Sequence, residues 1–265
     1  MASRSRKDPF DITFASAQGA RPRQEDRILC ARIAPLQTAS VAGRLLAIFD
    51  GHGGSKAADR AAGAVEAAFR SAGAAHPGDP SCALRETFRS LVNLTQDLEC
   101  GTTATLLYLP EDAASAHLAV LGDSPAAFTN EMGQWVLGPD HNIRSNPDEK
   151  AAAWARGADF ENGYLYDPEN PGFELQMARS LGDRSLNRVL NREPEILSVR
   201  LGAGGFGLVA SDGILNPREG PPAPQLERLM ALVRDGADAP ALAEDARRRQ
   251  TGDNVSVIVW RAVKE

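Results

Sequence analysis

Four aspartates stand at the ends of four apolar runs, and this placement restricts the possible folds more than any other feature of the sequence. Asp50 follows Leu-Leu-Ala-Ile-Phe, Asp123 follows Leu-Ala-Val-Leu-Gly, and Asp212 follows Leu-Val-Ala-Ser. Asp253 opens the apolar run at residues 255–260. Short apolar runs bounded by turn residues are typical of buried β-strands. The pattern therefore predicts a sheet that gathers the four carboxylates at one edge.

Carboxylates gathered in this way repel one another, so they require a partner of opposite charge. Oxygen ligands suit hard cations such as Mg²⁺ or Mn²⁺, and the shortage of nearby histidine and cysteine argues against zinc. One such aspartate alone most often caps a loop, but four in the same context favour a metal site. Asp50 also precedes Gly51-His52-Gly53-Gly54, and glycines let the backbone approach a ligand closely.

The order of strand-like and helical runs lacks a strict βαβ alternation and favours an α+β fold, with sheets packed face to face and helices outside. The irregular composition of residues 160–172 predicts a mobile excursion, and residues 130–133 a hairpin turn. The predicted strands cover residues 11–17, 26–33, 45–50, 103–109, 115–122, 126–130, 134–137, 205–211 and 255–261. The predicted helices cover residues 55–71, 82–98, 148–157, 224–234 and 239–249.

Length and charge narrow the class of protein. A chain of 265 residues fits one domain, and a net charge of −6 favours neither a nucleic-acid nor a membrane partner. The three cysteines, Cys30, Cys82 and Cys100, lack a CxxC spacing, so neither a disulfide framework nor a zinc site is expected. Residues 1–8 carry no signal-peptide pattern, and no apolar run reaches membrane-spanning length. A soluble, cytoplasmic monomer is expected.

Seven short motifs occur in an order that resembles the protein phosphatase 2C family, the metal-dependent protein phosphatases, over about residues 15–260. The resemblance implies a central antiparallel β-sandwich flanked by helix pairs on both faces, in α-β-β-α layers. It also implies one phosphatase catalytic domain over residues 1–265, with a flap-like excursion at about residues 141–177. The motifs are Arg21-Pro-Arg-Gln-Glu25-Asp26, Asp50-Gly51-His52-Gly53-Gly54, Gly101-Thr102-Thr103-Ala104, Gly122-Asp123-Ser124, Arg179-Ser-Leu-Gly182-Asp183, Ser211-Asp212-Gly213 and Asp253-Asn254.

The resemblance further implies two Mg²⁺ or Mn²⁺ ions at one edge of the sandwich. Asp50 would bridge both ions, and the carbonyl of Gly51 would bind one of them. Asp212 and Asp253 would complete the ligand set, with Glu25 acting directly or through water. Two cations about 3.5–4 Å apart activate a water molecule and clamp the phosphoryl oxygens during in-line attack.

Three further roles follow from the resemblance. Asp123, with Asp212, matches a third and weaker metal site. Arg21 matches the arginine that holds the substrate phosphate, for which its planar fork is suited. His52 matches the candidate general acid that protonates the leaving alkoxide. From the residues alone, an arginine such as Arg21 is more often a solvated surface residue, and the alternative for His52 is that it only shapes its turn.

The predicted function is Mg²⁺- or Mn²⁺-dependent hydrolysis of phosphoserine and phosphothreonine in proteins, in signalling that opposes a serine/threonine kinase. Two alternatives stay open: a catalytically silent phosphoprotein-binding module, and a small-phosphoester hydrolase on the same scaffold. Pro125 stands where the family often has arginine, and Asn216 where an acid is frequent, so substrate contacts are the point in doubt. We expect His141 to anchor the start of the excursion, and residues 101–104 and 179–183 to serve packing and loop geometry.

Overall fold

The computed structural model describes residues 8–34 and 42–263, so the expectation for residues 1–8 lies almost entirely outside the described part. Its α-helices are α1 Lys56–Ala75, α2 Pro80–Thr95, α3 Pro147–Ala155, α4 Pro222–Arg234 and α5 Ala239–Arg248. Its strands are β1 Phe10–Ala17, β2 Arg27–Ile33, β3 Gly43–Phe49, β4 Gly51–His52, β5 Gly101–Thr102, β6 Ala104–Pro110, β7 Ser115–Leu121, β8 Ala126–Thr129, β9 Trp135–Leu137, β10 Asp159–Glu161, β11 Tyr164–Tyr166, β12 Glu174–Leu175, β13 Leu181–Gly182, β14 Glu195–Arg200, β15 Phe206–Ala210 and β16 Val255–Ala262.

Two five-stranded sheets form the centre of the molecule. One has the order β1-β16-β15-β8-β9 and the other the order β14-β7-β6-β3-β2, with antiparallel pairing throughout both. In β3, Leu46 and Ile48 join the cluster between the sheets, whereas Leu45, Ala47 and Phe49 join the cluster under the first helix pair. Side chains alternate between the faces of a strand, and both faces of β3 are buried. This explains its continuously apolar sequence.

A helix pair covers the outer face of each sheet. Helices α1 and α2 pack on the sheet that contains β3, through residues such as Val65 and Phe88. Helices α4 and α5 pack on the other sheet, through residues such as Leu229 and Leu242. The layers are therefore helix, sheet, sheet and helix. The predicted α+β sandwich flanked by helix pairs is confirmed.

Helix α2 begins earlier than predicted, because Asp79 caps the helix and Pro80 is its first residue. Pro80 occupies the first turn, and the carboxylate of Asp79 accepts a hydrogen bond from the backbone N–H of Cys82 (2.9 Å). Proline at the first helical position and aspartate at the N-cap are both favoured there. The helix therefore begins at Pro80 rather than at residue 82.

Two local features are missing from the predictions. The excursion predicted over residues 160–172 contains paired strands, since β10 and β11 pair over residues 159–166 and β12 adds a third strand at residues 174–175. Leu165 of β11 is buried against Ala153 of α3 and Leu186, in a cluster of its own. Strand β14 was not predicted, because it is an edge strand with alternating exposed positions and charged ends. In the described part of the chain, no helix is long and apolar enough to cross a membrane.

Candidate active site

A cleft of about 360 Å³ lies at the sandwich edge where the apolar strands meet their aspartates. Asp50 follows β3, Asp123 and Asp212 follow the ends of β7 and β15, and Asp253 precedes β16. Strands of the two sheets thus bring the four predicted carboxylates to one cleft. The cleft is lined by Arg21, Pro22, Arg23, Glu25, Asp50, Gly51, His52, Asp123, Tyr164, Glu174, Leu175, Gln176, Met177, Asp212, Asp253 and Asn254.

Asp50 occupies the centre of the acidic group. Its backbone N–H donates to the hydroxyl of Thr103 (3.1 Å), and its carboxylate accepts from the backbone N–H of Asp212 (3.3 Å). Burial, followed by the charges of Asp212, Asp26 and Asp123, raises the pKa of Asp50 well above its usual value. The protein fixes this carboxylate in a position where its negative charge is strongly disfavoured without a cation.

The pKa values of two more carboxyl groups, those of Asp123 and Asp212, are also raised. Burial and the charge of Asp212 raise the pKa of Asp123 to about 7, against an ordinary 3.8. Burial and the charge of Asp253 raise the pKa of Asp212 to about 6. Asn142 donates to Oδ2 of Asp123 (2.8 Å), while Oδ1 of Asp123 is buried without a partner among the described residues.

Asp26 is a buried acid of the same group to which the sequence reasoning gave no role. It is 3% exposed, and its Oδ2 accepts from the hydroxyl of Ser211 (2.9 Å). Its Oδ1 is also buried without a partner in the described residues, and burial raises its pKa. A signal was available: Asp26 directly precedes strand β2, much as Asp253 precedes β16. The charge of Asp26 adds to the negative field at Asp50.

The loop that carries Glu25 is held by Asn254. The side-chain oxygen of Asn254 accepts from the backbone N–H of Glu25 (2.9 Å), and its Nδ2 donates to the carbonyls of Gln18 (2.7 Å) and Arg23 (2.9 Å). At Gly51, a Cβ atom would lie 2.6 Å from the carbonyl oxygen of Glu25. Only glycine permits this approach between the two loops, so it brings Glu25 beside the turn after β3.

Arg21 lies at the mouth of the cleft and contacts Asp253. Its Nη2 donates to Oδ2 of Asp253 at 2.6 Å, and the arginine side chain is 58% exposed. An exposed ion pair of this kind contributes about 0–1 kcal/mol, so the guanidinium is free to leave it for another anion. The structure places this predicted residue at the cleft rather than on a remote surface.

His52 is held by an acid that the sequence reasoning treated as a packing residue. Its Nε2 lies 2.9 Å from both carboxylate oxygens of Asp183, and Oδ2 of Asp183 also accepts from the hydroxyl of Ser180 (2.5 Å). Burial opposes the charged imidazolium, but the charge and hydrogen bond of Asp183 outweigh it and raise the pKa of His52. Gly101 makes room for this pair, since a Cβ there would lie 2.0 Å from Asp183 Oδ2 and 2.4 Å from His52 Nε2.

The donor chemistry of the cleft fits hard divalent cations. The candidate side-chain ligands, Glu25, Asp50, Asp123, Asp212 and Asp253, are all carboxylates, and the carbonyl of Gly51 is a further oxygen donor. Burial, and after it the charges of neighbouring carboxylates, raises the pKa values of Asp50, Asp123 and Asp212. Buried Oδ1 atoms of Asp26 and Asp123 lack partners among the described residues. Bound cations would remove the repulsion, and oxygen-only donors favour Mg²⁺ or Mn²⁺ over zinc.

A second cavity of about 370 Å³ adjoins the cleft and shares Asp123, Asp212 and Gln176 with it. Pro125, one of the two departures from the family pattern, lines this cavity. The other, Asn216, is buried: its backbone N–H donates to Gln225 and its side chain accepts from the N–H of Arg218. Of the two departures, only Pro125 lines the second cavity, whereas Asn216 is buried behind it against Gln225, which does line it.

His141 joins the strand end at Gly122 to the segment that follows it. Its Nδ1 accepts from the backbone N–H of Gly122 (3.1 Å), and its carbonyl accepts from the N–H of Ala178. The ring is fully buried, and burial lowers its pKa. This is the anchoring position that we expected from the sequence.

Comparison with known proteins identifies the family. The family model described as Protein phosphatase 2C matches residues 10–255. The chain belongs to the protein phosphatase 2C family. Members of this family are serine/threonine protein phosphatases, which are hydrolases that act on phosphoproteins and depend on metal ions, so the predicted enzyme class is confirmed at this level.

Two curated relatives of this phosphatase 2C chain come from plants. A "Protein kinase and PP2C-like domain-containing protein" of Arabidopsis thaliana is 29% identical over 237 residues, covering 81% of this chain but 34% of that protein. "Probable protein phosphatase 2C 45" of Oryza sativa subsp. japonica is 25% identical over 269 residues, covering 97% of this chain and 89% of that protein. The chain therefore spans about a third of one relative and most of the other.

Solved structures share the fold of this phosphatase 2C chain. Serine-threonine phosphatase 2C from Toxoplasma gondii superposes with a TM-score of 0.75 at 20% identity, covering 95% of this chain and 94% of that one. The catalytic domain of serine threonine protein phosphatase PstP, in complex with two manganese ions, superposes with a TM-score of 0.58 at 23% identity, covering 96% and 99%. At these identities the likeness establishes the fold.

Proposed function

We propose that this protein hydrolyses phosphoserine and phosphothreonine in phosphoproteins, using Mg²⁺ or Mn²⁺ held by the acidic cleft. The observation that carries this proposal is the meeting of carboxylates from both sheets in one cleft with Arg21 and His52. The strongly raised pKa of Asp50 supports it, because that carboxylate is positioned for a cation rather than for solvent. A catalytically silent binding module would not need this group of buried, mutually repelling carboxylates.

Five residues would hold the two core ions. Asp50 would contact both of them, the carbonyl of Gly51 would contact one, and Asp212, Asp253 and Glu25 would complete the ligand set. The ions would supply charge neutralisation at the phosphoryl group and an activated water molecule.

A third and weaker ion would bind between Asp123 and Asp212. The partnerless Oδ1 of Asp123 and the raised pKa values of both carboxyl groups support this site. Asn142 would keep Oδ2 of Asp123 oriented, since it already donates to that oxygen.

Arg21 would bind and orient the substrate phosphate. Its guanidinium presents parallel N–H donors that match two phosphate oxygens. The arginine is exposed at the mouth of the cleft and paired only with Asp253 among the described residues, so a phosphate that enters can take over its donors. Its contribution is therefore to binding and orientation.

His52 would protonate the leaving serine or threonine oxygen. The alkoxide of these residues is a poor leaving group, so a proton delivered during bond cleavage speeds the reaction by a typical 10²- to 10⁴-fold. Asp183 engages Nε2 and favours the charged ring, which leaves Nδ1 as the nitrogen that can face the substrate. Asp183 is a positioning residue in this proposal.

The remaining assignments concern the whole protein. We assign residues 1–265 to one catalytic domain, in which the flap at about 141–177 contributes Tyr164 and Gln176 to the wall of the cleft. Such a wall would contact the polypeptide that carries the phosphoresidue. A monomer that acts in the cytoplasm and opposes a serine/threonine kinase fits this arrangement.

The test is phosphate release from matched phosphoserine, phosphothreonine and phosphotyrosine peptides, each with Mn²⁺, with Mg²⁺ and with EDTA. We expect metal-dependent hydrolysis of the first two peptides and little of the third. A panel of small phosphoesters in the same assay separates the small-phosphoester alternative. No turnover of any substrate by folded, Mn²⁺-loaded protein would overturn the proposal in favour of a silent binding module.

A further inference from the structure

A cluster of three side chains with mixed donor atoms lies on the first helix pair, outside the acidic cleft. His76 follows the last residue of α1, and Cys82 and Glu86 lie on the first turns of α2. A ring nitrogen, the sulfur and a carboxylate oxygen from these residues all lie within 4.8 Å of one another. All three side chains are half-buried, so the cluster is shaped by the fold yet open to solvent.

The spacing on α2 directs two donors to the same place. Residues four apart lie on one face of a helix, which is the arrangement by which a helix presents two ligands to one metal ion. Metal bonds of about 2.0–2.3 Å to nitrogen, oxygen and sulfur place tetrahedral ligand atoms less than 4 Å apart. Small rotations of the side chains of Cys82 and Glu86 would bring the donors from their present separation to that distance.

The backbone between the helices fixes the third donor. The N–H of His76 donates to the carbonyl of Ala72 (2.9 Å), and the N–H of Asp79 donates to the carbonyl of His76 (3.2 Å). The carboxylate of Asp79 in turn caps α2 at Cys82. The short turn is therefore tied to both helices, and on this backbone the three donor atoms lie within 4.8 Å of one another.

Local charge permits a cation at this position. Arg89 donates to Oε1 of Glu86, and a carboxylate bound at one oxygen can still hold a metal ion through the other. A second cluster, His141, Glu149 and Glu195, has similar spacing, but the guanidinium of Arg179 contacts both of its glutamates. Both acids of that second cluster are therefore already paired with one internal cation, whereas in the first cluster Glu86 alone has an arginine partner and His76 and Cys82 supply neutral donors.

We propose that His76, Cys82 and Glu86 form a site for a divalent ion of the zinc class, with water as the fourth ligand. Imidazole, thiolate and carboxylate together suit Zn²⁺ or Co²⁺ and not Mg²⁺. The sequence argued against zinc because CxxC spacing is lacking, but this site needs only one cysteine. A bound ion would join the end of α1 to the start of α2.

Cobalt absorption tests the proposal, because a thiolate ligand gives Co²⁺ a near-ultraviolet charge-transfer band that oxygen ligands cannot give. The reduced full chain, with excess Mg²⁺ present to occupy the acidic cleft, is titrated with Co²⁺. We expect a band that saturates at one Co²⁺ per chain and disappears when Zn²⁺ is added. Cys82→Ser removes the band, whereas Cys100→Ser, at the cysteine beside Gly53, retains it.

Two further variants test the other ligands. His76→Ala and Glu86→Gln should each weaken Co²⁺ binding by more than the roughly tenfold that loss of an outer-shell partner costs. Circular dichroism checks that each variant is folded. The proposal is overturned if the folded wild-type chain gives no band, or if Cys82→Ser leaves the band unchanged. Neither result depends on phosphatase activity, so the proposed function stands or falls separately.

Discussion

Raising the pH should destabilise the metal-free protein, because its acidic cleft holds carboxyl groups whose pKa values are raised in the folded state. Such a group stabilises the fold at a pH below its unfolded pKa, and this contribution is lost as the pH rises through the folded pKa. The folded pKa is about 7 for Asp123 and about 6 for Asp212, against 3.8 ordinarily. The loss should therefore run from about pH 4 to about pH 7, and more than half of it lies above pH 5.

The magnitude follows from these values. Between pH 5 and pH 8, Asp123 alone would remove about 3 kcal/mol and Asp212 about 1 kcal/mol from the free energy of unfolding. For a chain of this length each kcal/mol corresponds to roughly 2–4 °C in the melting temperature. The metal-free protein should thus melt on the order of 10 °C lower at pH 8 than at pH 5.

Thermal denaturation in EDTA across this pH range measures the effect, with Asp123→Asn as the matched control. That variant cannot titrate at position 123, so its melting temperature should fall less steeply. The comparison also removes the opposite contributions of His117 and His141, whose pKa values burial lowers. Saturating Mn²⁺ should abolish most of the slope. A wild-type melting temperature that stays constant or rises from pH 5 to pH 8 in EDTA would refute the electrostatic reasoning about the cleft.

Three substitutions test individual roles in the proposed reaction. Asp212→Asn should reduce Mn²⁺-dependent hydrolysis of an aryl phosphate by roughly 10³-fold or more with an unchanged circular dichroism spectrum, and full residual activity would contradict the metal site. Arg21→Ala should raise KM by roughly 10-fold or more, as expected for loss of a hydrogen bond between charged groups, with a smaller change in kcat. An unchanged KM would show that Arg21 does not bind the substrate phosphate. Asp183→Asn should lower kcat roughly 10²-fold on a phosphoserine peptide. It should lower kcat much less on nitrophenyl phosphate, because that leaving group needs no proton. Equal losses on both substrates would argue against the positioning role of Asp183.

The layers of the fold could be predicted because a strand that is buried on both faces has a continuously apolar sequence. The run before Asp50 is apolar at every position, and the structure buries both of its faces between helices and the second sheet. Strand β14 could not be found in this way, because an edge strand has one poorly covered face and its sequence shows weak alternation. The flap strands are two or three residues long, too short for any periodicity to appear.

The cleft residues that stand at the end of an apolar strand could be predicted from the sequence. This rule identified Asp50, Asp123, Asp212 and Asp253. Asp26 also stands at the start of a strand, but β2 contains Arg27 and Arg32 and is not a continuous apolar run, so the rule did not select Asp26. The buried position of Asp26 became apparent only with the packing of Ser211 against it.

The contact of Asp183 with His52 could not be predicted for a different reason, namely the backbone conformation of Asp183. Its φ is +50°, a left-handed conformation that a non-glycine residue adopts at a cost and that no neighbouring residue type announces. Arg192 maintains this conformation by donating to the carbonyls of Ser180 (2.6 Å) and Asp183 (3.2 Å). We therefore expect the orientation of His52 to depend on an arginine far outside the motif that contains the histidine. Arg192→Ala should therefore reproduce the leaving-group dependence of Asp183→Asn, and a variant with normal kinetics on phosphoserine would show that the turn holds Asp183 without it.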